Sequence, residues 1–545
     1  MTQSANDEID DAIKDLGAWD YVIVGAGSAG SALAARLSED GTSRVCLLEA
    51  GPKDTHPLIS IPMGFAFWPD GAKQNWAFDT LPQKHLNNRV CYQPRGRVLG
   101  GSSAINAMIY IRGVPSDYDG WARDGATGWS WTDVFPYFKK SEGREGGATD
   151  RHGGYGPLTV SPLRYKNALC DRFLDAAEEL QIPLNADFNG DTQEGAGYYD
   201  VTQRAGRRCS AARAYLEPAR ERENLRIITD AHAERVVIKD NRATAVVLRT
   251  GSGAERALVR AEGEVILSAG AFQSPQLLML SGVGPAAHLK DMGVRVVKDA
   301  PNVGGNLQDH LDYTAIYKTS ALGGFGLTPG FIARLPFALF AHYQNGNGPL
   351  SSNVAEAGAF LKTRSDLAEP DIQLHFIPGI VDDHGRKKHW GAGFTCHVCV
   401  LRPKSRGTVR LASPDPHAPP AIDPNFLSHP DDLTGLIAGA REMQRIMAAP
   451  ALAAVRGDSL YAPIDADDET LIADIRARSD TIYHPVGTCR MGSDDAAVLD
   501  PNLRVKGVDA LRVVDASVMP RLIGGNTNAP SIMIGEKAAD LILAA

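Results

Sequence analysis

Residues 19–52 read WDYVIVGAGSAGSALAARLSEDGTSRVCLLEAGP. An apolar, β-branched run meets a glycine cluster, Ala- and Leu-rich helical spacing follows, and VCLLEAG forms a second apolar run, so the stretch reads as strand, helix, strand. Gly25, Gly27 and Gly30 fit G-x-G-x-x-G directly after the first strand, and Glu49 ends the second, 24 residues after Gly25. The first glycine permits a tight turn, the second lets backbone amides approach a pyrophosphate, and the third lets helix pack on strand. The helix start at Ser28 and Ala29 supplies partial positive charge for phosphate. Glu49, followed by Ala50, stands where a ribose hydroxyl would bind. The pattern marks a dinucleotide site and leaves FAD and NAD both open.

At 545 residues the chain exceeds what one compact core usually holds, so two domains, or a large one with a second layered on it, are expected. Apolar residues make 43% and charged residues 22%, with 55 Gly and 33 Pro, which fits a loop-rich globular enzyme. The net charge of −9 opposes nonspecific binding to nucleic acid or to an anionic bilayer and points to small-molecule partners. The first residues, MTQSANDEIDDAIKDLG, are acidic where a secretory signal would be basic and then apolar. No stretch reaches the roughly 18 apolar residues of a membrane span, so a cytoplasmic location is expected. Seven cysteines, at 46, 91, 170, 209, 396, 399 and 489, are odd in number and widely spread, which predicts buried reduced thiols.

Further along, VCYQPRGRVLGGSSAINAMIYIRG (90–113) is a small-residue loop able to approach a ligand closely. Between 224 and 285 the runs LRIITDA, RVVIKD, ATAVVLRT and GEVILSAGA read as strands, and QSPQLLMLSGVGP as a helix closed by glycines. Residues 316–478 differ in texture, with Pro- and Gly-punctuated runs such as DIQLHFIPGIV, and read as a substrate-facing domain. The end, from LRVVDASV onward, predicts a strand, a Gly/Asn turn and an amphipathic helix that Pro530 helps start. The reading is an α/β chain with an α+β substrate part. Residues 19–315 and 479–545 form the dinucleotide domain, with excursions near 60–90 and 115–220, and 1–18 form an acidic leader.

Four blocks, the fingerprint with RGRVLGGSSAINAMIYIRG (95–113), GAFQSPQLLMLSGVGP (270–285), and YHPVGTCRMG (483–492) with GGNTNAPSIMIGE (524–536), resemble the glucose–methanol–choline (GMC) oxidoreductase family. The resemblance runs from about residue 19 to the end. It implies a Rossmann-like FAD-binding domain and a discontinuous substrate-binding domain built on an antiparallel sheet. It implies that Gly100, Gly101, Ser102 and Asn106 lie against the pyrophosphate and isoalloxazine, and that Asp515 and Ala516 approach the ribityl chain and pyrimidine. It likewise implies Arg97, Met108, Val236 and Asn526 as cofactor contacts. Choline oxidase carries a flavin-linked histidine where this chain has Ile105, so FAD is expected to be noncovalent.

Oxidising an alcohol through flavin requires a hydroxyl proton to leave as hydride passes to flavin N5, which calls for a neutral base near pH 7. The resemblance places His484 in that role and Asn528 as its partner on the substrate oxygen, with Asn526 the alternative. Primary aliphatic alcohols are the implied substrates, with a quinone or other carrier taking the electrons. An O2-using oxidase is the nearest rival. A redox-silent lyase and a photodecarboxylase are remoter, the latter because Leu401 stands where it has cysteine.

Four signals are discounted or left open. Cys396 and Cys399 flank His397 in a strand-like run that would point the thiols to opposite faces, so a metal site is not expected. His384, Arg386, Lys387, Lys388 and His389 read as a solvated basic loop. PGFIARLPFALFAHY (329–343) is too short and interrupted to span a bilayer and could line an entrance or touch a membrane surface, which makes peripheral contact with the inner membrane compatible with the sequence. Glu356 is a candidate counter-charge for a cationic substrate.

Overall fold

The computed structural model describes residues 13–69, 71–251, 255–320 and 324–545. Strand β1 (Lys14–Val24) runs into helix α1 (Ser28–Leu37) and returns in β2 (Val45–Leu48), as the fingerprint reading requires. The acidic leader expected over 1–18 therefore ends early: Lys14 already pairs with Ala257, and residues 1–12 lie outside the described ones. All four residues of β2 are buried, as expected for an apolar run covered on both faces of a parallel sheet.

The first sheet continues with β3 (Leu225–Ile228), β4 (Ala231–Lys239), β5 (Arg242–Thr250) and β6 (Glu255–Leu267), in the spatial order β3-β2-β1-β6-β5-β4. The β3, β2, β1 and β6 pairings are parallel, whereas β4, β5 and the first half of β6 form an antiparallel meander. The four apolar runs of 224–285 are thus strands of the sheet that holds the fingerprint strands. Helix α2 (Gly270–Leu280) follows β6 directly.

The second sheet is antiparallel. It contains β7 (Leu311–Thr319), then, beyond helix α3 (Pro329–Asn345), β8 (Ala357–Leu361), β9 (Ile372–Ile377) and β10 (Gly391–Val400). The order runs from the short strand Asp480–Thr481 through β7, β10, β9 and β8 to the strand Gly195–Tyr198. Helix α4 (Pro430–Ala448) packs its Leu436, Ala440 and Met443 into the core on one face of this sheet.

Strand β11 (Leu511–Val513) then returns to the first sheet, pairing in parallel with the last three residues of β6. Helix α5 (Asn528–Leu543) ends the chain. The sequence predicted an amphipathic helix here, but residues 529–539 are buried all round, because α5 packs under α1. The crossing is close enough that a Cβ on Gly535 would stand 2.5 Å from the Ala29 carbonyl oxygen. No helix among the described residues is long and apolar enough to cross a membrane.

Candidate active site

A cavity of about 880 Å³, near the top of the range for ligand pockets, runs between the two sheets. Gly25, Gly27, Ser28, Ala29, Glu49, Ala50, Gly101, Ser102, Asn106, Met108, His484, Asp515, Ala516, Asn526 and Asn528 all line it. Segments as far apart in sequence as Gly25 and Asn528 therefore converge on one space.

The fingerprint end is built from backbone. A Cβ on Gly30 would lie 2.0 Å from the Gly25 carbonyl oxygen, so the helix can sit on the strand end only without a side chain there. Gly27 caps α1 with no side-chain bond, which leaves the first helical N–H groups facing the cavity. Gly101, at φ +53°, lies on Gly27, and a Cβ there would stand 2.7 Å from the Gly27 Cα. Glu49 accepts from the amides of Ala26 (3.0 Å) and Gly51 (2.8 Å), and complete burial pushes its pKa up to about 7. Asp515 accepts from the Gly270 amide (2.8 Å), the Ser274 hydroxyl (2.5 Å) and the Ser517 amide (2.8 Å), which ties β11 to the start of α2.

Four expected contacts do not reach the cavity. Gly30 is the helix–strand spacer just described. Gly100 donates its amide to Ala26 (2.8 Å) and so fastens the 95–113 loop to the fingerprint turn. Arg97 lies behind the wall, its guanidinium 4.7 Å from the ring centre of Trp76, which does line the cavity. Val236 is a core residue whose amide donates to the Ser281 hydroxyl. A bulge between Ala233 and Arg235 interrupts the strand's pairing, and Ala231, His232 and Ala233 face the cavity instead.

The structure brings Asn526, and not the expected Asn528, next to His484. His484 Nε2 is 3.2 Å from the Asn526 side-chain amide nitrogen, whereas Asn528, the first residue of α5, accepts from the Ser28 hydroxyl at 2.7 Å. Helix geometry decides this: Asn528 is committed to the helix terminus beside α1, and Asn526 precedes it in the turn facing His484. The Asn526 side-chain oxygen is occupied by the Gln373 amide at 3.1 Å, which turns its NH2 toward His484.

A proton order follows. The Leu401 carbonyl can only accept, so His310 Nε2, 2.9 Å away, carries the proton. His310 Nδ1 is then an acceptor, and the proton shared over 3.0 Å with His484 Nδ1 belongs to His484. His484 Nε2 is left with its lone pair, fed by the Asn526 NH2. Burial first, then the charges of His310, His375 and Arg95, hold the His484 pKa well below the ordinary histidine value. The same burial lowers His310 to about 4 and His375 to about 3. The Asp309 carboxylate fixes the loop by accepting from the His484 amide at 2.8 Å.

Sequence reasoning missed His310, His375, Gln373, Arg95 and Arg208. The QDH at 308–310 and the alternation of DIQLHFI were the available signals, but only the tertiary fold brings His310 to His484 and Gln373 to Asn526. Arg208, buried and lowered to about 9, clamps Asn106 through Oδ1 (2.8 Å) and the carbonyl (2.6 Å). Glu356 does not face the cavity: it is fully buried and accepts from the Asn167 amide (2.6 Å) and the Ser352 hydroxyl (2.5 Å). Cys396 and Cys399 fall in two separate cores, on opposite faces of β10.

GMC oxidoreductase family models match residues 19–312 and 403–535. The chain belongs to the GMC oxidoreductase family. An alcohol dehydrogenase [acceptor] from Pseudomonas putida is 49% identical over 527 residues, 96% of either chain. An oxygen-dependent choline dehydrogenase from Rhizobium etli is 44% identical over 529 residues, covering 96% of this chain and 95% of that one. Among solved structures, pyridoxine 4-oxidase from Mesorbium loti superposes with a TM-score of 0.86 at 32% identity, over 96% of this chain and 98% of that one. A formate oxidase from Aspergillus oryzae, studied for modification of its FAD, gives 0.89 at 27%, over 97% and 98%.

FAD is the cofactor of this oxidoreductase, and the cavity fits it. The open helix start, the bare Gly27–Gly101 approach and the Glu49 carboxylate suit a dinucleotide. In the cavity that His484 lines, His375 Nδ1, His397 Nε2 and the Arg95 Nε and Nη2 are buried without partners among the described residues, so the lining offers unspent polar groups to a cofactor.

Proposed function

We propose that the chain oxidises a primary, apolar alcohol to the aldehyde with noncovalently bound FAD, and that the electrons pass on to a quinone or another acceptor. The single observation that carries the reading is the setting of His484 at the cavity, with its Nδ1 on His310 and its Nε2 beside the Asn526 NH2. Bound FAD supplies the hydride acceptor. His484 Nε2 takes the hydroxyl proton as the carbon–hydrogen bond gives up its electron pair, and Nδ1–H, anchored on His310, holds the ring in place. Asn526 would donate to the substrate oxygen and hold the hydroxyl against His484.

Residues Met63, Phe65, Phe325, Phe331, Ile377 and Ile482 give the cavity an apolar wall. Its two lining carboxylates, Glu49 and Asp515, are already taken by backbone amides, and Glu356 is withdrawn, so a quaternary ammonium group finds no free counter-charge. Ile105 lines the cavity with an alkyl side chain, which offers no atom for a flavin link and supports noncovalent binding.

Anaerobic mixing of the FAD-loaded enzyme with an alcohol series tests this. Bleaching by medium-chain primary alcohols and loss of about 10²-fold in rate for His484→Ala, with FAD retained, are expected. No bleaching by any alcohol would sink the redox reading in favour of a lyase. The oxidase reading draws support from the names of the solved relatives. Rapid return of yellow flavin under air with stoichiometric peroxide would establish it.

A further inference from the structure

A proton taken by His484 has to leave it before the next turnover, and the groups that hold His484 cannot carry it away. His310 spends its own proton on the Leu401 carbonyl, and the Asn526 side-chain amide takes up no proton near neutral pH. The Asp309 carboxylate accepts from the His484 backbone amide.

A row of titratable side chains crosses the cavity face of the second sheet. His375 of β9 stands directly opposite His397 of β10, and both line the cavity. His397 pairs with Thr314 of β7, so Asp312, two residues earlier, shares that face, and His397 Nδ1 donates to its carboxylate at 2.5 Å. Asp312 stands opposite Asp480, whose carboxylate lies 3.3 Å from His384 Nε2. His384 also lines the cavity, and it and Asp480 are half-buried, so the row leads from the buried wall toward solvent.

The buried members of the row are open where one would hand a proton to the next. His375 Nδ1, His397 Nε2 and Asp312 Oδ1 have no hydrogen-bond partner among the described residues, whereas groups that served packing alone would have theirs satisfied. An ionised Asp312 can only accept, so His397 carries its proton on Nδ1 and can receive another at Nε2, with the carboxylate stabilising the imidazolium. Burial first, then the charge of His397, lowers His375 to about 3, so it passes a proton on without trapping it. The charge of His375 also lowers His484, which puts the two rings within electrostatic reach.

We propose that His375, His397, Asp312 and Asp480 relay the alcohol proton from His484 to solvent at His384. The proposal rests on His484 as the base. In each turnover the alcohol C–H bond gives its hydrogen and electron pair to the cofactor, and the O–H bond gives one proton to His484. That proton passes, directly or across one water, to His375. His397 gains an N–H bond at Nε2 as it gives its Nδ1 proton to Asp312, and one proton leaves Asp480 or His384 for water. No electron moves along the row, and the cavity stays closed around substrate while the proton leaves.

The test reads proton release with a pH-indicating dye beside flavin bleaching, when the FAD-loaded chain is mixed with alcohol in weak buffer without oxygen. Wild type should release one proton in step with bleaching. Asp312→Asn keeps an acceptor for His397 and cannot carry a proton. Its first bleaching should keep the wild-type rate while proton release lags by about 10²-fold, the low end for loss of a positioned proton carrier, and free imidazole should close the lag. Asp480→Asn, half-buried and therefore little threat to folding, should lag in the same sense. Release in step with bleaching in both variants, no proton from wild type, or a lag that imidazole leaves unchanged would each overturn the proposal. A His484→Ala variant that bleaches normally would refute the base, whereas slow bleaching of that variant with no lag in Asp312→Asn would refute the relay alone.

Discussion

Replacing His310 by leucine removes the acceptor that holds the proton on His484 Nδ1, without touching the cavity face of His484. The His484 Nδ1–H would then be a buried donor with no partner, a state that costs about 1–3 kcal/mol. The ring can escape that cost by moving the proton to Nε2, where it can no longer act as a base. With 1.36 kcal/mol per tenfold, the limiting rate of flavin reduction should fall about 5- to 150-fold. Both neutral tautomers bind the same number of protons, so the loss should be uniform across the pH plateau, with substrate affinity and FAD content kept. His310→Gln can accept from His484 through Oε1 and donate to the Leu401 carbonyl through Nε2, and it should restore most of the rate. Anaerobic stopped-flow reduction of the three proteins measures all of this. A leucine variant as fast as wild type, or a glutamine variant as slow as leucine, would refute the proton order.

Other expectations concern separate parts of the site. Gly27→Val should fold normally and lose its flavin: Gly27 has φ −73°, its Cβ would meet nothing nearer than the Ser268 carbonyl oxygen at 3.9 Å, and the added side chain lines the pyrophosphate approach. A yellow, fully loaded variant would contradict this. Asn526→Ala should slow flavin reduction, whereas Asn528→Ala should weaken FAD retention through Ser28. The reverse pattern, read from reduction rates and flavin content, would restore Asn528 as the partner. Because the His484 pKa is lowered by burial, the base is free above it, so kcat/KM should stay flat from alkaline pH through 7 and fall only well below 6.5. An acid limb at or above 6.5 would mean that the histidine is not desolvated in the working enzyme.

The sequence by itself determined the dinucleotide half, because that half is local. A β-branched run, three glycines and an acidic residue follow one another within one strand–helix–strand unit, and backbone sterics leave that order little choice. The same locality made Gly30 and Glu49 legible, and the family blocks located His484. What the sequence left open arises between distant segments. Whether Asn526 or Asn528 meets His484 depends on where α5 starts against α1, a matter of packing that two asparagines two positions apart do not reveal. His310 reaches the site from the residue before β7 and Gln373 from β9, and the bulge in β4 keeps Val236 in the core. Glu356 looked like a free carboxylate and proved to be spent on the Asn167 amide. Only tertiary structure brings together the groups that bias the His484 tautomer, a carbonyl 83 residues upstream in the chain reached through a second histidine.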